Sequence, residues 1–161
     1  MAKSKEEKTN AMRILESAGI PFEILSYTVD ESDLSGVHVA EELNLPAEQV
    51  FKTLVTKGSK NGYAVFVIPV AEELDLKKCA LAAGDKRVEM IPMKELLPLT
   101  GYIRGGCSPV GMKKPFPTYF DETATLFDRI YLSAGVRGKQ FCIDPMALCD
   151  FLGAEFADLT F

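Results

Sequence analysis

Two stretches of the chain carry residue types that can do chemistry. The first is Phe51-Lys52-Thr53-Leu54-Val55-Thr56, where a lysine interrupts an apolar, β-branched run. A strand alternates its side chains, so Lys52 and Leu54 share one face while Phe51, Thr53 and Val55 share the other. A cation in such a strand has two readings: a rim position with a snorkelling aliphatic stem, or an ammonium aimed into a pocket. The second stretch is Gly101-Tyr102-Ile103-Arg104-Gly105-Gly106-Cys107-Ser108-Pro109-Val110-Gly111. Its four glycines and one proline exclude a helix or a long strand and specify a shaped loop.

As a phosphate cradle this loop fails, because no Lys-Ser or Lys-Thr follows the glycines and prolines stand where a phosphate-binding helix would begin. A better use is an array of main-chain N–H groups at Gly105, Gly106, Cys107 and Ser108, able to hold a carbonyl oxygen or its developing negative charge. The plain alternative is a tight chain crossing with no ligand. Cys107 invites a nucleophile hypothesis, but a thiol of pKa about 8.5 needs a positive field, and only Arg104 or a folded-in Lys52 offers one. A small side chain fits that position equally well as packing, and Ser108 shares the handicap. His38 is the sole histidine, so a Ser-His-Asp triad or a histidine-rich metal site would rest on it alone. With no carboxylate placed for it by the sequence, it reads as a capping or partly buried residue beside Val37 and Val39. Cys79, Cys107, Cys142 and Cys149 match neither a zinc spacing nor a dense disulfide framework, and reduced, mostly buried thiols are expected.

The elements that must position these residues follow in order. Ser4 and Glu7 have capping-box spacing, and Met12, Leu15 and Ala18 fall on one face of a first helix stopped by Gly19. Pro21 opens a short strand over Phe22 to Tyr27, an acidic loop spans Thr28 to Gly36, and Val37 to Leu43 makes a second helix with Val39, Ala40 and Leu43 inward. The lysine-bearing run pairs with Tyr63 to Val70 as a hairpin, with Asn61-Gly62 at its turn. Leu74 to Ala82 reads as a helix with Leu74, Leu81 and the small residues around Cys79 inward, closed by Gly84. A strand over Arg87 to Ile91 and a short helix over Met93 to Leu97 lead to the glycine loop. Thr118 to Asp121 and a second hairpin, Arg129 to Ser133 with Lys139 to Ile143, precede a helix opened by Asp144-Pro145 and stopped by Gly153, and Phe156 to Phe161 forms a last short strand. Hairpins outweigh βαβ alternation, so an α+β domain with a mixed, mostly antiparallel sheet and surrounding helices is expected.

At 161 residues the chain suits one domain over 1–161. Hydrophobic content of 47% with 25% charged residues is ordinary for a water-soluble globular protein, and no apolar run reaches the about 18 residues of a membrane span. Met1 to Thr9 is polar and lysine-rich without an apolar stretch, so no secretory signal is expected and the cytoplasm is the expected compartment. No resident metal or cofactor is expected. A net charge of −5 excludes gripping a long nucleic acid by counterion release alone, yet leaves room for local basic patches such as Lys113-Lys114 and Arg137-Gly138-Lys139.

Tyr27 at a strand end, Phe51-Lys52-Thr53-Leu54, Gly101-Tyr102, Gly105-Gly106-x-Ser108-Pro109-x-Gly111, Ser133 before a glycine turn with Arg137-Gly138, and Leu152-Gly153-Ala154 together resemble the YbaK/EbsC family. These are free-standing relatives of the editing domain inserted in bacterial prolyl-tRNA synthetase. The likeness runs from about Ala11 to Asp158 and implies a barrel-like sheet surrounded by helices. It also implies an aminoacyl-tRNA deacylase acting in trans, clearing cysteine mischarged onto tRNA(Pro), with alanine the alternative. By the resemblance, Lys52, Gly105 and Gly106 act on the ester, and Tyr27, Thr53, Cys107, Ser108, Ser133 and Gln140 hold the aminoacyl group. Lys113, Lys114 and Arg137 meet the acceptor end. Gln140 departs from the family pattern, which has an aspartate there, and Val136 stands where a lysine is common. The expected partners are a mischarged tRNA and prolyl-tRNA synthetase in a ternary complex, with the protein itself a monomer. A non-catalytic module that binds aminoacyl-tRNA or a synthetase is the competing reading.

Overall fold

The computed structural model describes residues 8–161, which leaves the expected Ser4–Glu7 capping box outside the described residues. Helix α1 (Asn10–Ser17) is capped by Thr9, whose hydroxyl accepts from the Met12 N–H at 3.1 Å and donates to the Ala134 carbonyl at 2.7 Å. One side chain thus closes a helix end and ties it to the turn of the second hairpin. Strand β1 (Glu23–Ser26) and helix α2 (Gly36–Glu42), capped by Ser35, precede the central hairpin of β2 (Phe51–Gly58) and β3 (Tyr63–Pro69). Its register runs from Phe51 opposite Pro69 to Lys57 opposite Tyr63.

Helix α3 (Leu76–Ala83) is capped by Asp75 and closed by Gly84 in the left-handed region at φ 67°. The expectation that Leu81 faces inward is wrong: it is 83% exposed. Capping at Asp75 sets the helix phase so that Cys79 and Ala80 are buried, and one further step of about 100° turns Leu81 outward. Leu74 lies before the helix, in an isolated bridge to Thr160. Strand β4 (Val88–Met90), a 3₁₀ turn over Met93–Glu95 and helix α4 (Leu96–Thr100) lead into the glycine loop. Strands β5 (Thr118–Asp121), β6 (Ile130–Ser133) and β7 (Lys139–Ile143) follow, then helix α5 (Pro145–Leu152), capped by Asp144, and strand β8 (Glu155–Ala157).

The strands form two sheets, ordered β1-β7-β6 and β4-β2-β3-β5-β8. The first is antiparallel throughout; in the second, β5 lies parallel to both β3 and β8. The α+β class and the mixed sheet follow the expectation, and the barrel-like likeness takes the form of two sheets that share the main core and are bridged at one end. Their junction is a parallel bridge between Val50 and Tyr131. Strand β3 explains the unbroken apolar run in the sequence. Val65 and Val67 enter the main core with Phe51, Phe120, Leu132 and Phe141, while Phe66 and Ile68 enter a second cluster with Cys79 and Leu159, so both faces are covered. Among the described residues no helix is long and apolar enough to cross a membrane.

Candidate active site

Strand β2 makes a fork. At Val50 it meets β6, and from Val55 onward it meets β4: the Ile91 N–H donates to the Val55 carbonyl at 3.2 Å, and Thr56, Lys57 and Gly58 pair with Met90, Glu89 and Val88. Between those points Lys52, Thr53 and Leu54 pair with β3 alone, at Ile68, Val67 and Phe66. The space left between the splayed sheets is a cavity of about 510 Å³. Lys52 therefore satisfies both sequence readings at once, standing on an open strand edge and lining a pocket. Burial pushes its pKa below the ordinary lysine value, with Glu73 and then Glu72 opposing the shift.

The far wall comes from the antiparallel sheet. Ser133 and Gln140 face each other across β6 and β7, and both line the cavity. Ser133 Oγ accepts from the Gly135 N–H at 3.2 Å. Gln140 lies on the middle strand of its sheet and is only 5% exposed, yet its Oε1 is buried with no partner in the protein. Thr53 Oγ1 is a second such atom. Buried polar atoms are nearly always paired, with protein or with ordered water, and these two belong to residues that line one cavity.

The glycine loop closes a third side through Arg104, Gly105 and Cys107. Gly105 holds φ +86°, and a Cβ there would come within 3.2 Å of Arg137 Nε. Among the described residues the N–H groups of Gly105, Cys107 and Ser108 have no hydrogen-bond partner, whereas that of Gly106 donates to the Ile103 carbonyl at 2.9 Å. The expectation that Gly106 is a donor to the ester is corrected: its N–H is used inside the turn. Its lack of a side chain serves close packing instead, since a Cβ would stand 3.2 Å from the Arg137 nitrogen. Ser108 is also structural, fully buried and accepting from the Val110 N–H at 3.2 Å, while the Tyr102 phenol donates to the Val110 carbonyl. Burial pushes the Cys107 thiol up to about 12, which leaves almost no thiolate at neutral pH.

Of the other residues singled out in the sequence, Tyr27 follows β1 with its N–H donating to the Gly138 carbonyl at 2.9 Å, and it does not line the cavity. Lys113 runs its stem past Gly101 and donates to the Pro98 carbonyl at 3.5 Å, and neither it nor the exposed Lys114 lines the cavity. Arg137 reaches the rim, where its Nε donates to the Arg104 carbonyl at 2.8 Å. Sequence reasoning gave Arg104 no binding role, although the signal was present: it is the one charged residue inside the glycine loop. The methionines of the mouth, Met90 and Met93, gave no signal at all. His38 is partly buried, as expected, but it does have carboxylates near it, its ring standing 3.7–3.8 Å from carboxylate oxygens of Asp30, Asp33, Glu41 and Glu42. It too lies outside the cavity lining, and among the described residues no cluster of ligands suited to a metal ion occurs. A shallower groove of about 420 Å³ between α3 and β4, bordered by Lys77, Leu81, Lys86 and Arg87, holds no orphaned polar atom.

Fold and cavity define a class before they define a family. A solved structure of a proposed trans-editing enzyme for prolyl-tRNA synthetase is similar over 97% of this chain and 99% of that one, with a TM-score of 0.82 and 27% identity. The profile of the aminoacyl-tRNA editing domain matches residues 35–151, and the chain belongs to that family. A curated relative from Enterococcus faecalis, the proposed Cys-tRNA(Pro)/Cys-tRNA(Cys) deacylase EbsC, is 49% identical over 99% of this chain and 98% of its own length. A proline–tRNA ligase from Thermosipho africanus is 36% identical over 76 residues, which is 47% of this chain and 13% of the ligase.

Proposed function

We propose that the protein is a trans-acting aminoacyl-tRNA deacylase that removes cysteine from mischarged tRNA(Pro). The observation that carries this reading is a cavity with donors and a cation but no competent nucleophile. Lys52 and the free N–H groups of Gly105 and Cys107 border it, while the Cys107 thiol is neutral and His38 lies elsewhere. A cysteinyl ester brings its own nucleophile. Its sulfur attacks the ester carbonyl, a C–S bond forms, the C–O bond to the terminal ribose breaks, and the thiol proton ends on the departing ribose hydroxyl. The products are a cyclic thiolactone and uncharged tRNA. The cavity then has two tasks: to hold the chain in the attacking conformation and to stabilise the oxyanion.

In this reading Lys52 supplies positive charge beside the ester, Gly105 and Cys107 N–H groups hold the carbonyl oxygen, and Thr53, Ser133 and Gln140 position the amino acid. Arg104 and Arg137 at the rim take the terminal phosphates, with Lys113 and Lys114 further along the acceptor stem. On a chain of net charge −5 these few contacts give modest, salt-sensitive affinity, which a ternary complex with prolyl-tRNA synthetase would supplement. The test is deacylation of cysteinyl-, alanyl- and prolyl-tRNA by the purified chain. Lys52→Ala is expected to lose about 10²–10³-fold in kcat on the cysteinyl ester, the range for removing one preorganised electrostatic contact, while Cys107→Ala keeps activity. Lys52→Ala acting at the wild-type rate would overturn the assignment.

A further inference from the structure

The cavity holds two cations, Lys52 and Arg104, and no Asp or Glu lines it. That is an odd lining for an aminoacyl ester, whose α-ammonium would ordinarily look for a carboxylate. Placed here, an ammonium would lose water, gain no carboxylate from the lining and face the half-buried Lys52, a combination that costs more than burying a neutral group. What the lining does include is Gln140 and Thr53, whose amide oxygen and hydroxyl are buried without a partner in the protein. Both suit a neutral donor.

We infer, resting on the deacylase reading above, that this cavity takes the amino acid with its α-nitrogen uncharged, and that Gln140 is the residue that sets this preference. The neutral amine donates one hydrogen to the Gln140 amide oxygen, and the amide presents oxygen or nitrogen as its rotation requires. The charged and titratable groups around that position are few. Lys52 comes from β2, Arg104 and the neutral Cys107 thiol from the glycine loop, and Glu73 and Glu72, from the segment after β3, act on Lys52. Strands β6 and β7 contribute only Ser133 and Gln140 to the lining. The substrate class widens accordingly, to esters whose α-substituent is any neutral hydrogen-bond donor, α-hydroxyacyl esters included.

The experiment charges one tRNA, by an acylating ribozyme, with cysteine or with 2-hydroxy-3-sulfanylpropanoate, which keeps the thiol and replaces the amine by a hydroxyl. Spontaneous loss is subtracted, and kcat/KM is compared between about pH 6 and pH 8.5, a span that brackets an α-amino pKa near 7.7–8.0. The amino-to-hydroxy ratio is expected to rise at least about tenfold with pH and to approach one, because the thiol, which ionises at about 8.5, is common to both esters and divides out, leaving the amine as the group that differs. Gln140→Glu, which restores a carboxylate, is expected to favour the amino ester by about tenfold at the acid end and to flatten the rise. A wild-type ratio that ignores pH, or that favours the amino ester at pH 6, overturns the inference, as does a Gln140→Glu ratio equal to the wild type. The deacylase reading fails separately, if neither ester is cleaved. Binding of the two non-hydrolysable 3′-amide adenosine analogues to the wild-type protein, read by calorimetry, then carries the same pH comparison without catalysis. Equal pH profiles for the two analogues would overturn the inference there, and Gln140→Met replaces Gln140→Glu if a buried carboxylate prevents folding.

Discussion

Thr53→Val should make the free protein more stable and the enzyme worse. Valine keeps the shape of threonine and replaces its hydroxyl by a methyl, and the Thr53 Oγ1 atom is buried without a partner in the protein. An unsatisfied buried polar group costs about 1–3 kcal/mol, so its removal is expected to stabilise by about 1–2 kcal/mol. The strand register, Thr53 opposite Val67, is indifferent to the change, and valine is an equally good strand former. For a chain of this length each kcal/mol moves the melting temperature by about 2–4 °C, giving a rise of about 2–8 °C, measurable by calorimetry and by the urea midpoint. If the hydroxyl is kept for substrate, its loss removes one neutral hydrogen bond of about 0.5–1.5 kcal/mol, a decrease of about 2- to 13-fold in kcat/KM on cysteinyl-tRNA. Thr53→Ser supplies the control, keeping the hydroxyl and losing the methyl. A Thr53→Val protein that melts lower than wild type with unchanged activity would refute the reasoning, because it would show a hydroxyl already satisfied in the empty cavity and idle in the full one.

Two further outcomes follow from the packing. Gly106→Ala puts a Cβ 3.2–3.3 Å from the backbone of Val136 and Arg137, which must yield by a few tenths of an ångström; a loss of about 1–3 kcal/mol in urea unfolding and a raised KM for tRNA are expected, since the Arg137–Arg104 contact moves with that turn. Asp85, whose carboxylate gathers the N–H groups of Asn61 and Arg87, the Ser59 hydroxyl and the Lys60 N–H, has its pKa lowered to about 2 from 3.8. Its folded pKa lies below the unfolded one, so its contribution is complete above about pH 4 and fades as pH falls towards 2. Thermal melts should show Asp85→Asn below wild type at neutral pH and the two converging near pH 2.

Local signals carried much of the fold. Asp144-Pro145 and Gly153 bracket α5 as their cap chemistry requires, and Asn61-Gly62 lies in the turn of the β2–β3 hairpin. Lys52 was legible because a cation in an apolar strand has few reasons to be there. What remained hidden depends on helix phase, on how a loop folds back, and on pairing between strands far apart in sequence. The cap that turns Leu81 outward acts through helix phase, and the carboxylates around His38 come from a loop and from the next helical turn. The pairing of β5 with β3 and β8 joins strands far apart along the chain. In the glycine loop, composition announced the bend but could not say which N–H the bend would consume. Gly106 spends its own on Ile103, and Gly105 keeps its free.

The fork in β2 carries a cost of a different kind. Over Lys52 to Leu54 a central strand has no neighbour on one side, and the Thr53 N–H and C=O, which point away from β3, lie along an open edge, the arrangement that elsewhere recruits a neighbouring chain and seeds aggregation. Two features blunt it here: the open stretch is short, and a lysine stands in it. The remedy available to a protein engineer, lengthening β4 until it zips along Lys52 to Leu54, would yield a tidier sheet and a sturdier molecule. It would also fill the gap beside Lys52 to Leu54 and leave no space for a substrate. The unfinished edge is therefore a feature that stability alone would remove and that function holds open.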